Sequence, residues 1–467
     1  MRSSRSSRSA EWRARDRKVL WHPFTQHSAW EDEDFPVIDR AEGSWLIDLE
    51  GKRYLDGVSS MWCTAAGHLN PRVVRAITRQ LRKLDHATFL GLTNVPAIQL
   101  AEKLLAKAPR GLARIFYSDN GSTAVEIALK MALQYWAQTG RPARTKFISL
   151  SEAYHGDTAG AMSVGGVDVF LNAYRPLLFP TIKAPTTYSY RCPKSTTLEA
   201  CAAHCIEDLR ALLEQHADEV AGVVMEPVVQ GAGGMIVQPP GFVKSVEDLC
   251  RKHDTFLILD EVMTGFGRTG TLFACEQDGV RPDLMAISKG LTGGFMPLAA
   301  TLATKRIFDG FLGEVKDRKA LYHGHTYTGN PIGCAAALAT LESFEKDRIL
   351  EKLPPKIEAL RKGLKPLDDH PKVGEIRQRG LLAGIELVAN RKTREPFPYE
   401  KRTGHRVILE ARKRGAILRP LGDVIVVMPP LTSSIAEIRR LSRIIGESIS
   451  SVLVRWGSAN GHGPAGP

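Results

Sequence analysis

Two short apolar runs, each ending abruptly in charged or polar residues, most constrain how this chain folds. The first is Phe256-Leu-Ile-Leu-Asp260 and the second is Leu284-Met-Ala-Ile-Ser288-Lys289. Continuous apolar runs of this length are typical of parallel strands that are buried on both faces. Because the carboxyl ends of such strands open into a ligand cleft, we expect Asp260 and Lys289 to emerge side by side at one edge of a sheet.

The carboxylate and the amine at this edge suit the chemistry of pyridoxal phosphate. An amine can bind the aldehyde of that cofactor covalently, and a carboxylate can keep its ring nitrogen protonated. A structural ion pair between two strand ends is the alternative interpretation. The two residues alone do not distinguish these interpretations, so the remaining motifs decide between them.

Strands and helices alternate along the middle of the chain. The predicted strands lie at 114–117, 146–149, 220–225, 256–259 and 284–288. This alternation predicts an α/β fold with a mostly parallel, doubly wound sheet in a large domain over residues 71–330. Mixed strands and helices predict a smaller α+β domain over residues 331–455. Residues 19–70 form an N-terminal segment that we expect to pack with the smaller domain.

The net charge of +12 invites a nucleic-acid-binding interpretation, but the position of the charge argues against it. Residues 1–18 hold seven Arg or Lys against Glu11 and Asp16 in a Ser/Arg-rich tail. This composition predicts a disordered tail, as does the Gly-rich end at residues 456–467. No basic groove with interleaved aromatics accompanies the charge, so we expect no nucleic-acid partner. An organelle transit peptide is the alternative interpretation of the first tail.

Seven cysteines, an odd number, are scattered along the chain, which is typical of reduced thiols in a cytoplasm. Cys201, His204 and Cys205, with Cys192 upstream, lack the ligand spacing of a metal site, so we expect no metal. Helical spacing places Cys201 and Cys205 one turn apart instead. The longest weakly polar run, 331–341, is far shorter than the roughly 20 residues of a membrane span. The sequence therefore predicts a cytoplasmic protein without a membrane span.

Other predicted strand ends carry groups that suit a phosphorylated aromatic cofactor. Asn120-Gly121-Ser122-Thr123 precedes a long helix, whose N-terminal N–H groups and dipole favour a phosphate. A plain helix N-cap would use the same residue types. Tyr154 could stack on a flat ring, although packing is the commoner role of a tyrosine. Glu226 could meet a cofactor hydroxyl or simply cap a loop.

Taken together, these motifs resemble the class III aminotransferases, which are pyridoxal-phosphate enzymes with the aspartate-aminotransferase-like fold. The resemblance covers residues 19–455. It rests on Asp260-Glu-Val-Met-Thr-Gly-Phe-Gly-Arg-Thr-Gly270, the Lys 29 positions after that Asp, Gly121-Ser122 and Thr326. It implies that Lys289 binds the cofactor's aldehyde, that Asp260 pairs with its ring nitrogen and that Tyr154 stacks on its ring.

The same resemblance implies a homodimer with shared active sites. Gly121 and Ser122 would bind the cofactor's phosphate from one subunit. Thr326 would reach the phosphate from the other subunit, and its neighbour His325 would also belong to the cofactor site. The partners implied are therefore small-molecule substrates and a second copy of the chain.

Finer motifs resemble one branch of this family, the diaminopelargonate synthases of biotin biosynthesis. These motifs are Trp21-His-Pro-Phe-Thr-Gln26, Asp56-Gly-Val-Ser-Ser-Met-Trp62, Gln134-Tyr-Trp136, His155-Gly-Asp-Thr158 and Arg419-Pro-Leu-Gly-Asp423. The branch converts 8-amino-7-oxononanoate to 7,8-diaminononanoate. The resemblance implies a substrate pocket formed by Trp62, Tyr154, Lys289, Gly324 and Arg419.

Arg419 would bind the substrate carboxylate, since a bidentate Arg is a strong partner for a carboxylate at the end of an apolar channel. A surface charge beside a turn proline is the alternative. Phe24 stands where many relatives carry Tyr. Ala232 stands where several other class III members carry Glu, and this difference at Ala232 disfavours glutamate as the amino donor. The amino donor stays open between S-adenosylmethionine and lysine, and another class III ω-aminotransferase is the alternative activity.

Overall fold

The computed structural model describes residues 3–195 and 197–459. The helices are α1 Ser3–Val19, α2 His27–Trp30, α3 Ser59–Trp62, α4 Pro71–Leu81, α5 Val95–Lys107, α6 Gly121–Gln138, α7 Ala159–Ser163, α8 Asp168–Leu171, α9 Leu198–Gln215, α10 Phe242–Lys252, α11 Lys305–Asp309, α12 Pro331–Lys346, α13 Leu353–Leu364, α14 Thr403–Lys413 and α15 Ile435–Ala459. Within this part of the chain, no helix has the length and apolar content that crossing a lipid bilayer requires.

Most strands belong to one large sheet and two smaller ones. They are β1 Ile38–Glu42, β2 Trp45–Asp48, β3 Arg53–Asp56, β4 Leu112–Ser118, β5 Lys146–Leu150, β6 Ile182–Ala184, β7 Val220–Met225, β8 Val229–Gln230, β9 Ile236–Val237, β10 Phe256–Asp260, β11 Leu284–Ile287, β12 Ala299–Thr304, β13 Val373–Arg379, β14 Leu382–Leu387, β15 Ala416–Ile417, β16 Arg419–Leu421 and β17 Val424–Val427.

The large sheet has seven strands in the order β4-β12-β11-β10-β7-β5-β6. Pairing is parallel from β11 through β6, and β12 alone runs antiparallel to both of its neighbours. The predicted α/β fold with a mostly parallel sheet is therefore confirmed. The strand β12 was not predicted, because its sequence Ala-Ala-Thr-Leu-Ala-Thr lacks the run of large β-branched residues that marks the other strands.

The register of this sheet places the two predicted groups at one edge. Asp260, the last residue of β10, pairs with Ala286 of the neighbouring parallel strand β11. Lys289 follows three residues after Ala286, before the chain turns back into β12, where Ala300 pairs with Ile287. The carboxylate and the amine therefore lie at the carboxyl edge of adjacent strands, as the two apolar runs predict.

Helix α6 shows how the crossover helices cover the sheet. Its residues at helical spacing are buried, and at its end the indole N–H of Trp136 donates to the carbonyl of Ala221 in β7 at 2.8 Å. The Trp136 ring also stacks on Phe256 of β10, with 4.6 Å between the ring centroids. A buried indole with its N–H satisfied fixes the helix at one position along the sheet. That position in turn sets where the N-terminus of α6 meets the strand ends.

The N-terminal segment joins a sheet with the C-terminal part of the chain. Strands β1, β2 and β3 form an antiparallel meander, and β15 adds in parallel to β3, with Ala416 opposite Leu55. A separate antiparallel sheet has the order β13-β14-β17-β16. Helix α15 packs against α13 and α14. The pairing of β15 with β3 therefore joins the N-terminal segment to the C-terminal part of the chain. Arg419 begins strand β16, which follows directly after β15.

A helix occupies the stretch that composition predicts to be a disordered tail. The guanidinium of Arg13 donates to the carbonyl of Phe35 at 3.1 Å, and that of Arg17 donates to the carbonyl of Glu33 at 2.9 Å. These cations therefore have backbone partners in a neighbouring segment, which composition cannot reveal. At the other end α15 runs to Ala459, and residues 460–467 of the expected C-terminal tail lie outside the described residues.

We expect Glu33→Gln to destabilise the fold at neutral pH. The Glu33 carboxylate contacts His405 Nε2 at 2.9 Å and Arg412 Nη1 at 2.8 Å, and so ties the N-terminal segment to α14. Burial alone would raise the pKa of Glu33, but the bonds to His405 and Arg412 lower it to about 2. After allowance for solvent screening, the variant should lose about 1–2 kcal/mol in the free energy of unfolding at neutral pH.

The pH dependence of this loss provides the check. The folded pKa of Glu33 lies below its ordinary value of 4.5, so its contribution is complete above that value and disappears as the pH falls toward 2. Denaturant unfolding of both proteins at neutral and acidic pH should show the difference shrinking with acid. Glu31→Gln, at an exposed position, is the matched control and should change little. An equal loss of unfolding free energy at both pH values would contradict the role that we assign to the Glu33 carboxylate.

Candidate active site

A cavity of about 690 Å³ opens at the carboxyl edge of the large sheet. Six residues that the sequence singles out line it together: Trp62, Gly121, Ser122, Tyr154, Asp260 and Lys289. They come from segments that are far apart along the chain, and the strand ends and the N-terminus of α6 bring them to one place. His155 and Glu226 also line the cavity.

Asp260 is held by two neighbours. The backbone N–H of Val262 donates to its Oδ1 at 2.9 Å, and His155 Nδ1 lies 2.8 Å from its Oδ2. Both side chains are buried, and His155 Nε2 has no hydrogen-bond partner among the described residues. The carboxylate is therefore fixed in orientation at the cavity wall and keeps acceptor capacity for a cationic N–H.

Lys289 is a partly buried residue in an unusual backbone conformation. Its φ of +43° lies in the left-handed region, which is uncommon for a residue other than glycine. The Nζ atom lies 5.2 Å from the centroid of the Trp62 ring. Burial lowers the pKa of Lys289, while the nearby charges of Asp260 and Glu226 oppose this shift. The amine is therefore more readily neutral than an exposed lysine, as a proton acceptor must be.

The Trp62 ring is positioned by a strained stretch of backbone. Ser59, Ser60 and Trp62 all have positive φ, between +49° and +66°. The carboxylate of Asp56 accepts the N–H of Ser60 at 2.8 Å, and the Ser59 hydroxyl donates to the carbonyl of Met428 at 2.7 Å. Strain that surrounding bonds hold in place is common at functional sites. Here it sets an indole against the amine of Lys289.

The N-terminus of α6 forms a narrow cup. Asn120 caps the helix by accepting the N–H of Thr123 at 3.1 Å, and the first helical N–H groups, at Gly121 and Ser122, have no partner within the helix. A Cβ at Gly121 would lie 2.5 Å from a Val262 side-chain carbon, and one at Gly156 would lie 2.2 Å from Ser122 Oγ. Glycines thus allow the close approach that lets backbone donors surround an anion.

Tyr154 and Glu226 form the next layer of the wall. The Tyr154 hydroxyl donates to Asp157 Oδ2 at 2.8 Å, and its backbone N–H donates to Glu226 Oε1 at 3.1 Å. Glu226 also accepts the N–H of Gly231 at 2.8 Å, so it caps the glycine-rich turn. Burial, followed by the charge of Asp260, raises the pKa of Glu226 to about 7 against the opposing effect of His155. Of the two sequence alternatives for Glu226, the structure shows the loop-capping contact.

Arg419 lies beside this cavity and does not form its wall. Its guanidinium carbon is 5.6 Å from the Phe24 ring centroid, and Nη1 lies 3.4 Å from the sulfur of Met61. Burial lowers the pKa of Arg419, and the nearby Tyr154 opposes the shift. Its Nε is buried without a hydrogen-bond partner among the described residues. A half-buried cation with a free donor is suited to a carboxylate of a ligand.

Three predicted residues are not among those that line the cavity of their own chain. Gly324 and Thr326 are exposed. His325 Nδ1 lies 2.7 Å from a carboxylate oxygen of Asp119, which is at the rim of the cup. The resemblance assigns Thr326 to the site of the other subunit, and for all three residues the assigned role stays a prediction.

Sequence reasoning gave His155 no role of its own, although it sits within a quoted motif. Its contact with Asp260 joins residues 105 positions apart, so only the folded chain reveals it. The available signal was a polar residue directly after Tyr154 at a strand end.

Among the described residues, no group of three or more His, Cys, Asp or Glu side chains could hold a metal ion.

Comparison with known proteins extends these observations to the whole chain. The family model described as aminotransferase class-III matches residues 27–449. The adenosylmethionine-8-amino-7-oxononanoate aminotransferase of Geobacter sulfurreducens is 55% identical over 438 residues, which cover 94% of this chain and 97% of the relative. The crystal structure of the protein of that name from Methanocaldococcus jannaschii has a TM-score of 0.90 at 44% identity, covering 95% of this chain and 99% of the other.

A second solved structure carries a different activity in its name. The (S)-enantioselective omega-transaminase from Thermomicrobium roseum has a TM-score of 0.91 at 36% identity and covers 95% of this chain and 99% of its own. Similarity of fold alone therefore extends to proteins named for different substrates. The substrate must be argued from the residues of the site.

Proposed function

Because the chain belongs to the class III aminotransferases, we propose that it transfers an amino group to 8-amino-7-oxononanoate and forms the 7,8-diaminononanoate of biotin biosynthesis. The amino donor in this proposal is S-adenosylmethionine, which appears in the names of the similar relatives. The observation that carries the proposal is one cavity that is lined by both the Lys289 amine and the buried carboxylate of Asp260.

The residues of the cavity fit pyridoxal phosphate, on which the enzymes of this family depend. The cup at Gly121 and Ser122 offers N–H donors that α6 itself does not use, and the fixed carboxylate of Asp260 offers an acceptor for a protonated ring nitrogen. The cavity volume of about 690 Å³ accommodates a cofactor together with a small substrate. When bound, the cofactor supplies an aldehyde that holds amino groups and a ring that withdraws electrons from the reacting carbon.

Each residue has a physical task in this proposal. With the cofactor in place, Lys289 Nζ would hold its aldehyde; as a neutral amine it would take the proton from the α-carbon of the donor and deliver it to the carbon that carried the aldehyde. Asp260 would keep the ring nitrogen of a bound cofactor protonated, and His155 keeps that carboxylate oriented. The Trp62 ring, whose centroid lies 5.2 Å from Lys289 Nζ, would shield the amine from water on that side. Tyr154 provides a flat wall against which the ring can stack.

Arg419 is the residue that we propose selects the keto acid. We expect Arg419→Ala to raise the KM for 8-amino-7-oxononanoate by about 10- to 100-fold, because a charge-assisted pair with a carboxylate contributes about 1.5–3 kcal/mol. The half-reaction with the amino donor should change much less. Arg419→Lys should recover part of the loss, since it restores the charge without the planar fork.

Steady-state kinetics with each substrate varied in turn would measure this effect. Arg406, at an exposed position of α14, gives a control. Arg406→Ala removes a cation from the same part of the chain without approaching the cavity. An unchanged KM in Arg419→Ala would remove Arg419 from the substrate pocket.

We also propose that the active form is a homodimer in the cytoplasm. Gly324 and Thr326 are exposed in the single chain, and Trp21, Leu90 and Tyr322 expose large apolar areas to solvent. A second copy that covered these areas would also bring Thr326 to the phosphate of its neighbour. Light scattering should give twice the mass of the chain. A fully active monomer would contradict the shared site.

The absence of disulfides among the described cysteines agrees with a reducing compartment.

The donor is tested by a single turnover. Holoenzyme mixed with S-adenosylmethionine should convert its bound cofactor from the aldehyde form to the amine form, and the change in absorbance reports the conversion. Lysine should leave the cofactor unchanged. Conversion by lysine alone would replace the donor in the proposal and leave the keto acid standing.

A second candidate activity is that of an ω-aminotransferase, which the similarity to the Thermomicrobium roseum enzyme favours. Turnover of β-alanine, ornithine and 8-amino-7-oxononanoate should be compared under the same conditions. The proposed function requires 8-amino-7-oxononanoate to have by far the highest kcat/KM.

A further inference from the structure

One row of paired residues crosses the antiparallel sheet β13-β14-β17-β16 and ends at Arg419. Arg377 of β13 pairs with Gly384 of β14, and Gly384 pairs with Val426 of β17. Val426 in turn pairs with Arg419 of β16. Residues that pair across a sheet point their side chains to the same face. Arg377 and Arg419 therefore lie at the two ends of one row, on one face of the sheet and three strand spacings of about 4.8 Å apart.

The Arg377 end of the row is bonded to the turn between β8 and β9. Arg377 is buried, and its Nη2 and Nε atoms donate to the carbonyl oxygen of Gly234 at 2.7 and 3.2 Å. A Cβ at Gly384 would lie 3.1 Å from the same oxygen, so a glycine there lets β14 approach the turn closely. The sheet is therefore joined to this turn both by a charge-assisted bond and by direct packing.

Two carboxylates of the sheet keep the Arg377 guanidinium in this orientation. Arg377 Nη1 contacts an oxygen of Glu375 and an oxygen of Glu386, each at 2.6 Å. Glu386 also accepts the hydroxyl of Tyr188 at 2.5 Å and pairs with Arg191 at 2.6 Å, both in the segment that follows β6. A buried polar network in which the members have partners holds its side chains in one arrangement.

The turn is bonded in its own right to the wall of the active-site cavity. The N–H of Gly231 donates to Glu226 at 2.8 Å, and Glu226 lines the cavity together with Lys289. Hydrogen bonds therefore run from Arg377 through the turn to the cavity wall. Strand pairing runs from Arg377 in the other direction, to Arg419.

We propose that Arg377 is a positioning residue that sets the distance between Arg419 and Lys289 and thereby selects the chain length of the keto acid. The inference rests on the proposed function, in which Arg419 binds the substrate carboxylate and the keto carbon reacts beside Lys289. With Arg419 fixed, a keto acid with one methylene fewer places that carbon about 1 Å from the reacting position, and such a displacement can lower the rate about 10²-fold. Loss of the Arg377 bonds frees the row to shift, so the shorter chain is discriminated against less.

Relative turnover of two keto acids tests the proposal. The holoenzyme is assayed with 8-amino-7-oxononanoate and with 7-amino-6-oxooctanoate, its homologue with one methylene fewer, and kcat/KM is measured for each. We expect the wild type to favour the longer acid by about 10- to 100-fold. Arg377→Met should lower this ratio of kcat/KM values at least about 5-fold, chiefly through the KM of the longer acid, with the donor half-reaction little changed. Arg377→Lys, which keeps the charge without the planar fork, should recover part of the ratio.

Two further variants complete the test. Tyr188→Phe removes one bond to Glu386 and leaves the charges in place, so it should lower the ratio in the same direction even where Arg377→Met does not fold. Arg379→Met is the control, because it removes a cation two residues along β13 whose Nε donates to Gln277 Oε1 at 2.9 Å. Neither Arg379 nor Gln277 is among the residues that line the cavity, so this variant should leave the ratio unchanged.

The possible outcomes separate this inference from the proposed function. The inference alone is overturned if the wild type converts 8-amino-7-oxononanoate and both Arg377→Met and Tyr188→Phe keep its ratio. It is also overturned if the wild type uses the two acids equally, or if Arg379→Met lowers the ratio as much as Arg377→Met does. A wild type that does not convert 8-amino-7-oxononanoate would contradict the proposed function and this inference with it.

Discussion

Lys289→Ala is expected to abolish turnover, with a loss in kcat of at least about 10³-fold, in the upper range for a residue that transfers protons. The variant loses the amine that binds the aldehyde and the base that moves the proton of the donor. The absorbance of the lysine-bound cofactor should disappear as well, while the phosphate cup at Gly121 and Ser122 still holds the cofactor. Stopped-flow kinetics and absorbance spectra of the purified variant measure both effects.

A second lysine, whose amine is hydrogen-bonded outside the cavity, provides the control. Burial lowers the pKa of Lys183 to about 8, and its Nζ donates to Ser149 Oγ at 2.7 Å, outside the cavity. Lys183→Met removes an amine whose pKa is also lowered and should keep both turnover and the absorbance of the lysine-bound cofactor. If Lys289→Ala retained turnover, or if Lys183→Met lost the cofactor linkage, Lys289 would not be the amine of the reaction.

Asp260→Asn should have the second largest effect, a loss of about 10²- to 10⁴-fold in kcat with the cofactor still bound. Asparagine has nearly the same shape and can keep a contact with His155, but it carries no negative charge to hold a proton on the ring nitrogen. The ring then withdraws electrons less strongly from the reacting carbon. Rapid-mixing kinetics give the rate, and titration of the apoenzyme with cofactor gives the affinity.

Glu261, the residue next to Asp260, offers a control for the loss of a buried charge. Glu261 is fully buried, but its carboxylate accepts the N–H groups of Ala274 and Cys275 at 3.0 and 2.8 Å, away from the ring position. Glu261→Gln removes a charge next to Asp260 and should cost stability with little change in kcat. An equal loss of rate in both variants would mean that Asp260 acts only through the fold.

The centre of the site can be predicted from the sequence because its signals are local. The strands β10 and β11 are continuous apolar runs, and their charged ends follow directly in the chain, so the placement of Asp260 beside Lys289 follows from the amino-acid pattern alone. The cup at Asn120–Thr123 is also a local signal, since capping residues mark a helix N-terminus. The family resemblance then selects among the chemical alternatives.

What could not be predicted depends on contacts between distant segments. The bond of His155 to Asp260, the cap that Glu226 places on the turn at Gly231 and the positive φ values before Trp62 all arise from tertiary packing. The α1 helix was missed because composition reports few apolar residues and says nothing of carbonyl partners such as that of Phe35. The strand β12 was missed because its pairing with β11 and β4, and not its side chains, defines it.

A crystal structure of the holoenzyme tests the central claim most directly, because the whole account requires Asp260 and Lys289 to meet one cofactor ring. We predict continuous density from Lys289 Nζ to the aldehyde carbon, and a carboxylate oxygen of Asp260 within about 2.6–3.2 Å of the ring nitrogen. The phosphate should lie in the cup at Gly121 and Ser122. A ring bound elsewhere, or one whose nitrogen faces away from Asp260, would contradict the account.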